Sequence, residues 1–209
     1  MKKIFCLFIS FFLLSFDSNN HTGLINVQSP PKLNVLKYQL GEVSVKWTAF
    51  KHSNKAEVGG EFNFVSVNNF KPKDNIITCV EGVSFSIPTN TTNTNDKIRD
   101  NKIINSFFYV MNNTDFITGT INSLSDNGSG ALTIKMNNQQ VERKFTWEFN
   151  EANNAFFLKT SINVLDWGAD NALAKLNEVC LEKHTGNNGI NKLWPTVDII
   201  VIADIKTIY

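Results

Sequence analysis

The feature that most constrains the fold is a two-residue alternation of apolar and polar side chains. In Val43-Ser44-Val45-Lys46-Trp47, for example, every second side chain is apolar. Successive side chains of a β-strand point to opposite faces of the sheet, so each such run predicts a strand with one buried and one solvent-exposed face. Seven runs occur, at residues 43–49, 62–66, 83–87, 132–136, 145–149, 156–164 and 197–205.

Turn residues separate these runs. The turn signals are Gly59-Gly60, Lys71 to Asp74, Asp126-Asn127-Gly128, Asn137-Asn138 and Asn150 to Asn154. Glycine and asparagine tolerate the left-handed backbone that tight hairpins require. Many strands joined by short hairpins predict an antiparallel sandwich or a closed barrel.

Two segments break the alternation and predict helices. Residues 96–107 (DKIRDNKIINSF) read as a short helix, and residues 166–184 as a longer one. In the longer segment, Ala169, Leu173, Leu176 and Cys180 follow the spacing of one helical face, and Gly186 supplies a C-terminal stop. We expect this helix to pack against the barrel through that face.

The first residues predict an export signal. Lys2 and Lys3 precede an apolar run of 13 residues, Ile4 to Phe16, whereas a membrane-spanning helix needs about 20. We therefore expect a signal peptide over residues 1–18, a single domain over residues 28–209, and a periplasmic or secreted protein without stable membrane insertion. Because no clear cleavage site follows Phe16, an uncleaved anchor is the alternative.

The charge balance limits the partners. The chain has 20 Lys and Arg against 19 Asp and Glu, a net charge of +1. Such a chain offers no general positive field for phosphate backbones, so we expect no nucleic-acid partner.

Cys79 and Cys180 remain after signal removal, and export would make a disulfide between them chemically possible. Two separate buried thiols are the alternative. Cys180 and His184 also share a helix face, a spacing that can hold a metal if His52 or Cys79 adds a third ligand. We expect neither a metal nor a cofactor.

The aromatic side chains of the alternating runs lie on the apolar faces. In a small barrel, inward side chains either fill the interior or line one ligand cavity. Alternation alone does not separate these two possibilities.

Three stretches resemble the YceI-like family. They are VSVKWTAFKHSNKAEVGGEFNF at 43–64, GVSFSIPTNTTNTNDKIRDNKIINSFFYVM from residue 82, and GALTIKMNNQQVERKFTWEF at 130–149. The Arg99-Asp100 pair opening the short helix is the most specific feature. Residues 164–201 resemble the end of a Bacteroidetes-type branch. The chain departs from the usual pattern at Asn137-Asn138, where a His-Gly turn is common, and at Phe108-Tyr109, where Phe-Asp is common.

The resemblance implies a lipocalin-like antiparallel β-barrel of about eight strands, with one short and one longer flanking α-helix. It also implies an exported binder of a polyisoprenoid or other long-chain amphiphile. The expected cavity lining is Trp47, Phe62, Phe64, Phe85, Phe108, Ile134, Phe145, Trp147, Phe149, Leu158 and Ile162. Arg99 is a candidate contact for a head group, with an ion pair to Asp96 or Asp100 as the alternative.

Catalytic signatures are absent from the sequence. No HExxH, P-loop or dinucleotide fingerprint occurs, and Asn127-Gly128-Ser129-Gly130 lacks the form of a nucleophile elbow. We therefore expect a binding protein rather than an enzyme. A packed barrel that acts as a ligand-free interaction or stress-response module is the competing hypothesis.

Overall fold

The computed structural model describes residues 36–208. Ten strands form one antiparallel sheet. The strands are β1 (Lys37–Lys51), β2 (Ala56–Phe62), β3 (Ser66–Asn68), β4 (Ser84–Pro88), β5 (Thr92–Asn93), β6 (Phe116–Ser125), β7 (Ser129–Met136), β8 (Gln139–Asn150), β9 (Ala155–Asn163) and β10 (Leu193–Ile208). The helices are α1 (Ile76–Val80), α2 (Lys97–Ser106), α3 (Asp170–Val179) and α4 (Leu181–His184).

The strand order is β3-β4-β6-β7-β8-β9-β10-β1-β2-β5, so the two edges of the sheet are β3 and β5. Only residues 63–65 separate the end of β2 from the start of β3. This short link brings the two sides of the curled sheet together at one seam. The predicted antiparallel barrel fold is confirmed.

The strand number differs slightly from the prediction of about eight. The two extra strands, β3 and β5, have three and two residues, too short to show an alternating pattern. Strand β6 also lacked a clear signal, because Gly119 takes the position between Ile117 and Ile121 on its apolar face and its pairing with β7 shifts between Ile121 and Ser123.

The longest pairing in the sheet joins the first and last strands. Residues 37–51 of β1 align antiparallel with residues 193–208 of β10. Because a pairing of the chain ends must close a very long loop, it depends on the shared apolar face rather than on local propensity. Val45, Ala203 and Ile205 are all buried on that face.

The short helix α2 lies close to where the sequence predicts it. Asp96 caps it by accepting hydrogen bonds from the backbone N–H groups of Ile98 and Arg99, as an N-cap aspartate does. Helix α1 was not anticipated; Asn75 caps it in the same way.

The longer helix expected over residues 166–184 is divided into shorter pieces. A 3-10 turn, Val164–Trp167, ends at Gly168, whose φ of 63° is left-handed. Helix α3 follows, and the backbone leaves helical geometry at Cys180 before α4 begins. The apolar spacing identified the face correctly, since Ala169 is buried and Leu173 packs against the core, but it could not show these interruptions.

Several expectations fall outside the described residues. The signal peptide over residues 1–18 lies there, so it and the domain boundaries remain predictions. No helix within residues 36–208 is long and apolar enough to cross a bilayer.

Candidate functional site

A cavity of about 240 Å³ lies inside the curled sheet. Eight of the ten strands contribute to it, all except β5 and β8, and its lining within residues 36–208 is apolar apart from Thr160 and the indoles of Trp47 and Trp194. The Thr160 hydroxyl is already used, because it donates to the backbone carbonyl of Lys144 at 2.8 Å. A ligand with a hydrocarbon chain would therefore find many apolar contacts and few polar ones along the walls.

The cavity is elongated. Along β10, its lining runs from Leu193 to Ile205, which corresponds to about 40 Å of strand at roughly 3.3 Å per residue. Strands of a barrel are tilted, so the length along the barrel axis is shorter than this. An extended chain fits such a space better than a compact ring system does.

Two helices contribute side chains to the cavity wall. Ile103 of α2 and Leu173 and Leu176 of α3 line it. The Lys102 ammonium donates to the carbonyl of Val179 at 3.0 Å and so joins the two helices. The predicted apolar face of the longer helix thus contributes directly to the cavity wall.

Glycines opposite aromatic residues shape the wall. Gly60 pairs across the sheet with Trp47, and Gly119 pairs with Phe85. A Cβ on Gly60 would come within 2.7 Å of the Trp47 ring atom Cε2, and one on Gly119 within 2.8 Å of Phe85 Cε1. Each ring therefore lies over the glycine backbone on the neighbouring strand.

This arrangement keeps volume free. An aromatic ring that lies against the sheet occupies less of the barrel centre than one that projects inward, and a glycine opposite it is what permits that orientation. A third pair, Gly130 opposite Phe145, repeats the arrangement outside the cavity lining.

Seven of the eleven side chains expected in the lining are found there. They are Trp47, Phe62, Phe85, Phe108, Ile134, Leu158 and Ile162. The structure thus brings residues from β1, β2, β4, β7 and β9 and the turn after α2 around one space.

Phe64 is placed differently from the expectation. Its side chain is 57% exposed, and Val65 lines the cavity instead. Strand β2 ends at Phe62, so the alternation that would turn Phe64 inward does not continue into the link before β3.

Phe145, Trp147 and Phe149 also lie outside the lining, although they share the inward face of β8. Trp147 stacks on Phe156 with ring centroids 5.6 Å apart, and Phe149 meets Tyr38 edge to face at 5.3 Å. Because Phe156 itself lines the cavity, these rings form a second layer behind it. The alternation correctly identified the inward face of β8, but it does not show which inward side chains border the cavity.

Sequence reasoning missed several lining residues. Strand β10 contributes Val197, Ile199 and Val201, and helix α2 is followed by Phe107. The alternation of β10 was recognised, yet the choice of cavity residues concentrated on aromatic side chains. A complete count of inward positions would have included the β10 residues.

Arg99 lies away from the cavity lining. Its guanidinium bonds Asp96 at 3.3 Å, and both side chains are more than 40% exposed. The backbone N–H groups of the helix and Arg99 lower the pKa of the Asp96 carboxyl. Asp100 accepts from both the backbone N–H and the hydroxyl of Thr94, at 2.8 and 2.6 Å, so it fixes the start of α2.

His184 is buried where α4 ends. Its Nδ1 lies 2.9 Å from Oδ1 of Asn177. Desolvation, together with the charges of Lys51, His52 and Lys102, lowers the pKa of His184 to about 4. The imidazole is therefore neutral near pH 7 and acts as a hydrogen-bonding core residue.

Within residues 36–208, Cys79 and Cys180 are both free thiols. Cys79 is fully buried in α1, and Cys180 is partly buried at the junction of α3 and α4. Burial raises the pKa of Cys79, which disfavours its thiolate. Within residues 36–208, no three His, Cys, Asp or Glu side chains are grouped as metal ligands.

Comparison with known proteins now adds to this geometry. Residues 36–199 match the family model of the YceI-like domain. The chain belongs to the YceI-like family. The apolar lining described above is thus found on a YceI-like fold, and the Arg99-Asp100 region lies inside the matched range.

Solved structures support the same fold. A polyisoprenoid binding domain from Saccharophagus degradans, implicated in plant cell wall breakdown, aligns with a TM-score of 0.54 and 11% identity, covering 82% of this chain and 97% of that one. BcnA of Burkholderia cenocepacia aligns with a TM-score of 0.52 and 12% identity, covering 78% and 96%. No curated protein sequence matches this YceI-like chain.

Proposed function

We propose that this protein is an exported carrier or reservoir that holds a polyisoprenoid or another long-chain amphiphile in its interior cavity. The observation that supports this most is the continuous apolar lining, which runs from Ile205 at one end to Trp194 at the other. The binding of a polyisoprenoid by the Saccharophagus degradans domain of the same fold adds support.

The energetics are adequate for such a role. Each buried methylene contributes roughly 0.8 kcal/mol, so about ten buried methylenes correspond to some 8 kcal/mol, which is the free energy of a micromolar complex. Ordering the chain reduces this gain. A longer prenyl chain would compensate without any polar contact.

The cavity lining also supports binding rather than catalysis. No ionisable side chain lines the cavity among the described residues. General acid–base or nucleophilic chemistry needs such groups within hydrogen-bond reach of a substrate. The free volume likewise argues against the competing hypothesis of a fully packed, ligand-free barrel.

The test is native mass spectrometry of the protein purified from its own cells, followed by organic extraction and identification of any lipid. A stoichiometric long-chain species is the expected result. A bare protein mass that persists after incubation with quinones, prenyl alcohols and fatty acids would contradict the proposal.

A matched pair of variants on β10 sharpens the test. Ile199 lines the cavity, whereas its neighbour Ile200 is 39% exposed on the outer face. Ile199→Trp should obstruct the cavity and reduce lipid uptake, while Ile200→Trp adds the same volume outside and should leave it unchanged. Thermal melts of both variants show whether a loss of binding reflects unfolding.

A further inference from the structure

Basic side chains converge at the end of the barrel where the helices lie. Lys51 ends β1, Lys55 lies in the following hairpin, and Lys192 directly precedes β10. Lys102 of α2 and Lys183 of α4 lie at the same end, because Lys102 donates to the carbonyl of Val179 beside α4 and the carbonyl of Lys183 bonds His52 of the hairpin. We call these five lysines the basic rim.

Specific contacts hold the rim together. The Lys55 and Lys192 ammonium groups lie 4.7 and 4.8 Å from the centroid of the Trp194 ring. His52 bonds the carbonyl of Lys183 at 3.0 Å and accepts, through its own carbonyl, the indole N–H of Trp194 at 2.8 Å. Two rim lysines therefore contact one tryptophan, and the backbone of Lys183 is linked to the same tryptophan through His52.

The rim borders the cavity. Trp194 and Leu193 both line the cavity and are partly exposed. Lys51 pairs with Leu193 across the sheet and follows Ala49, the last lining residue of β1, by two positions. A chain that fills the cavity would thus bring its end next to the lysines.

The positive charge of the rim is not neutralised by ion pairs. None of the five lysines forms a salt bridge with any residue in the range 36–208. Glu57, Asp100 and Glu182 lie within two residues of rim lysines in sequence, and the five lysines outnumber them.

We propose that the basic rim binds an anionic head group, of the phosphate or diphosphate class, on the amphiphile whose chain occupies the cavity. Ammonium groups form charge-assisted hydrogen bonds with phosphate oxygens. A head group at the cavity end would stay partly hydrated, which an apolar interior could not provide. This inference depends on the proposed function and assigns its head-group chemistry.

The experiment compares geranylgeranyl phosphate with geranylgeraniol, which share one chain and differ in the head group. Binding is followed by titration calorimetry at low and at 0.5 M salt. We expect the phosphate to bind at least tenfold more tightly at low salt, and the preference to shrink at high salt. Geranylgeraniol has no anionic head group, so its binding tests the cavity alone. If the protein does not bind the alcohol, the proposed function fails, whatever the result for the head group.

Two matched triple variants locate the charge. Replacing Lys51, Lys55 and Lys192 by Gln should abolish the preference for the phosphate and leave alcohol binding within about twofold. The control variant replaces three exposed lysines that are distant from the rim in sequence, Lys37, Lys135 and Lys144, by Gln. It should retain the preference for the phosphate over the alcohol. Thermal melts confirm that each variant is folded, and Lys192→Gln alone serves if the triple rim variant is not.

Three outcomes would overturn the inference. The first is equal affinity for phosphate and alcohol, or a preference that survives in the rim variant. The second is binding of inorganic phosphate as tight as that of the prenyl phosphate, which would make the rim a site for the free anion. The third is rim-dependent binding to phosphatidylglycerol vesicles without any preference for the prenyl phosphate, which would make the rim a membrane contact.

Discussion

Replacing Gly60 by alanine tests whether the glycines opposite aromatic rings keep the cavity open. The new Cβ would lie 2.7 and 2.9 Å from two atoms of the Trp47 ring, closer than real Cβ atoms come to such atoms. The indole must therefore tilt toward the cavity, or the strands must separate. Overpacking of this kind costs about 1–3 kcal/mol, or roughly 3–10 °C in melting temperature for a domain of this size.

The adjacent glycine supplies the control. A Cβ on Gly59 would meet nothing nearer than the Trp47 carbonyl oxygen at 3.9 Å, and Gly59 is exposed on the opposite face. Gly59→Ala should be neutral or stabilising by up to about 1 kcal/mol, because alanine restricts the unfolded chain. Both variants are compared by thermal melts, tryptophan fluorescence and lipid uptake.

A second substitution identifies the cause. Leucine at position 47 is shorter than the indole, so Trp47→Leu in the Gly60→Ala background should recover part of the lost stability. A coupling free energy above about 0.5 kcal/mol in this double-mutant cycle would show direct contact. If Gly60→Ala melts and binds lipid as Gly59→Ala does, the reasoning about the ring orientation is refuted.

Three further predictions concern stability and pH. The pKa of His184 is lowered from 6.5 to about 4 in the folded state. Its contribution to the free energy of unfolding is therefore complete above pH 6.5 and falls by roughly 2–3 kcal/mol as the pH drops toward 4. Urea unfolding from pH 7 to 4 should show a smaller loss of stability for His184→Gln than for the parent. Asp100→Ala should cost about 1–3 kcal/mol, since two buried donors lose their acceptor, whereas the melting temperature of Arg99→Ala should stay within about 2 °C of the parent. Trp147→Asp should unfold the barrel or abolish lipid uptake, because it removes a stacked ring and adds a carboxylate to the inward face; a folded variant with normal uptake would contradict this placement.

Local patterns were enough to predict much of the fold. The period-two alternation identified the faces of β1 and β7 to β10, because a strand with one buried face carries apolar side chains at every second position. Asp96 marked the start of α2 because an N-cap is a local interaction. The family motifs then related these elements to the YceI-like domain, which residues 36–199 match.

Other features depended on contacts between distant residues. The sequence could not show that Phe64 turns outward, that Phe145, Trp147 and Phe149 pack behind the cavity, or that Cys180 interrupts a helix. Nor could it show which inward side chains meet free space, because a filled and a hollow barrel have the same alternation.

The sequence by itself therefore determined the longer strands, most of their inward faces and the family. The tertiary structure alone decided where the cavity lies, since its volume depends on pairs such as Trp47 and Gly60 that meet across strands. It also decided that Lys51, Lys102 and Lys192 lie at one end of the barrel. These lysines are far apart in the chain, and only the closure of β1 against β10 and the packing of α2 on α3 bring them together.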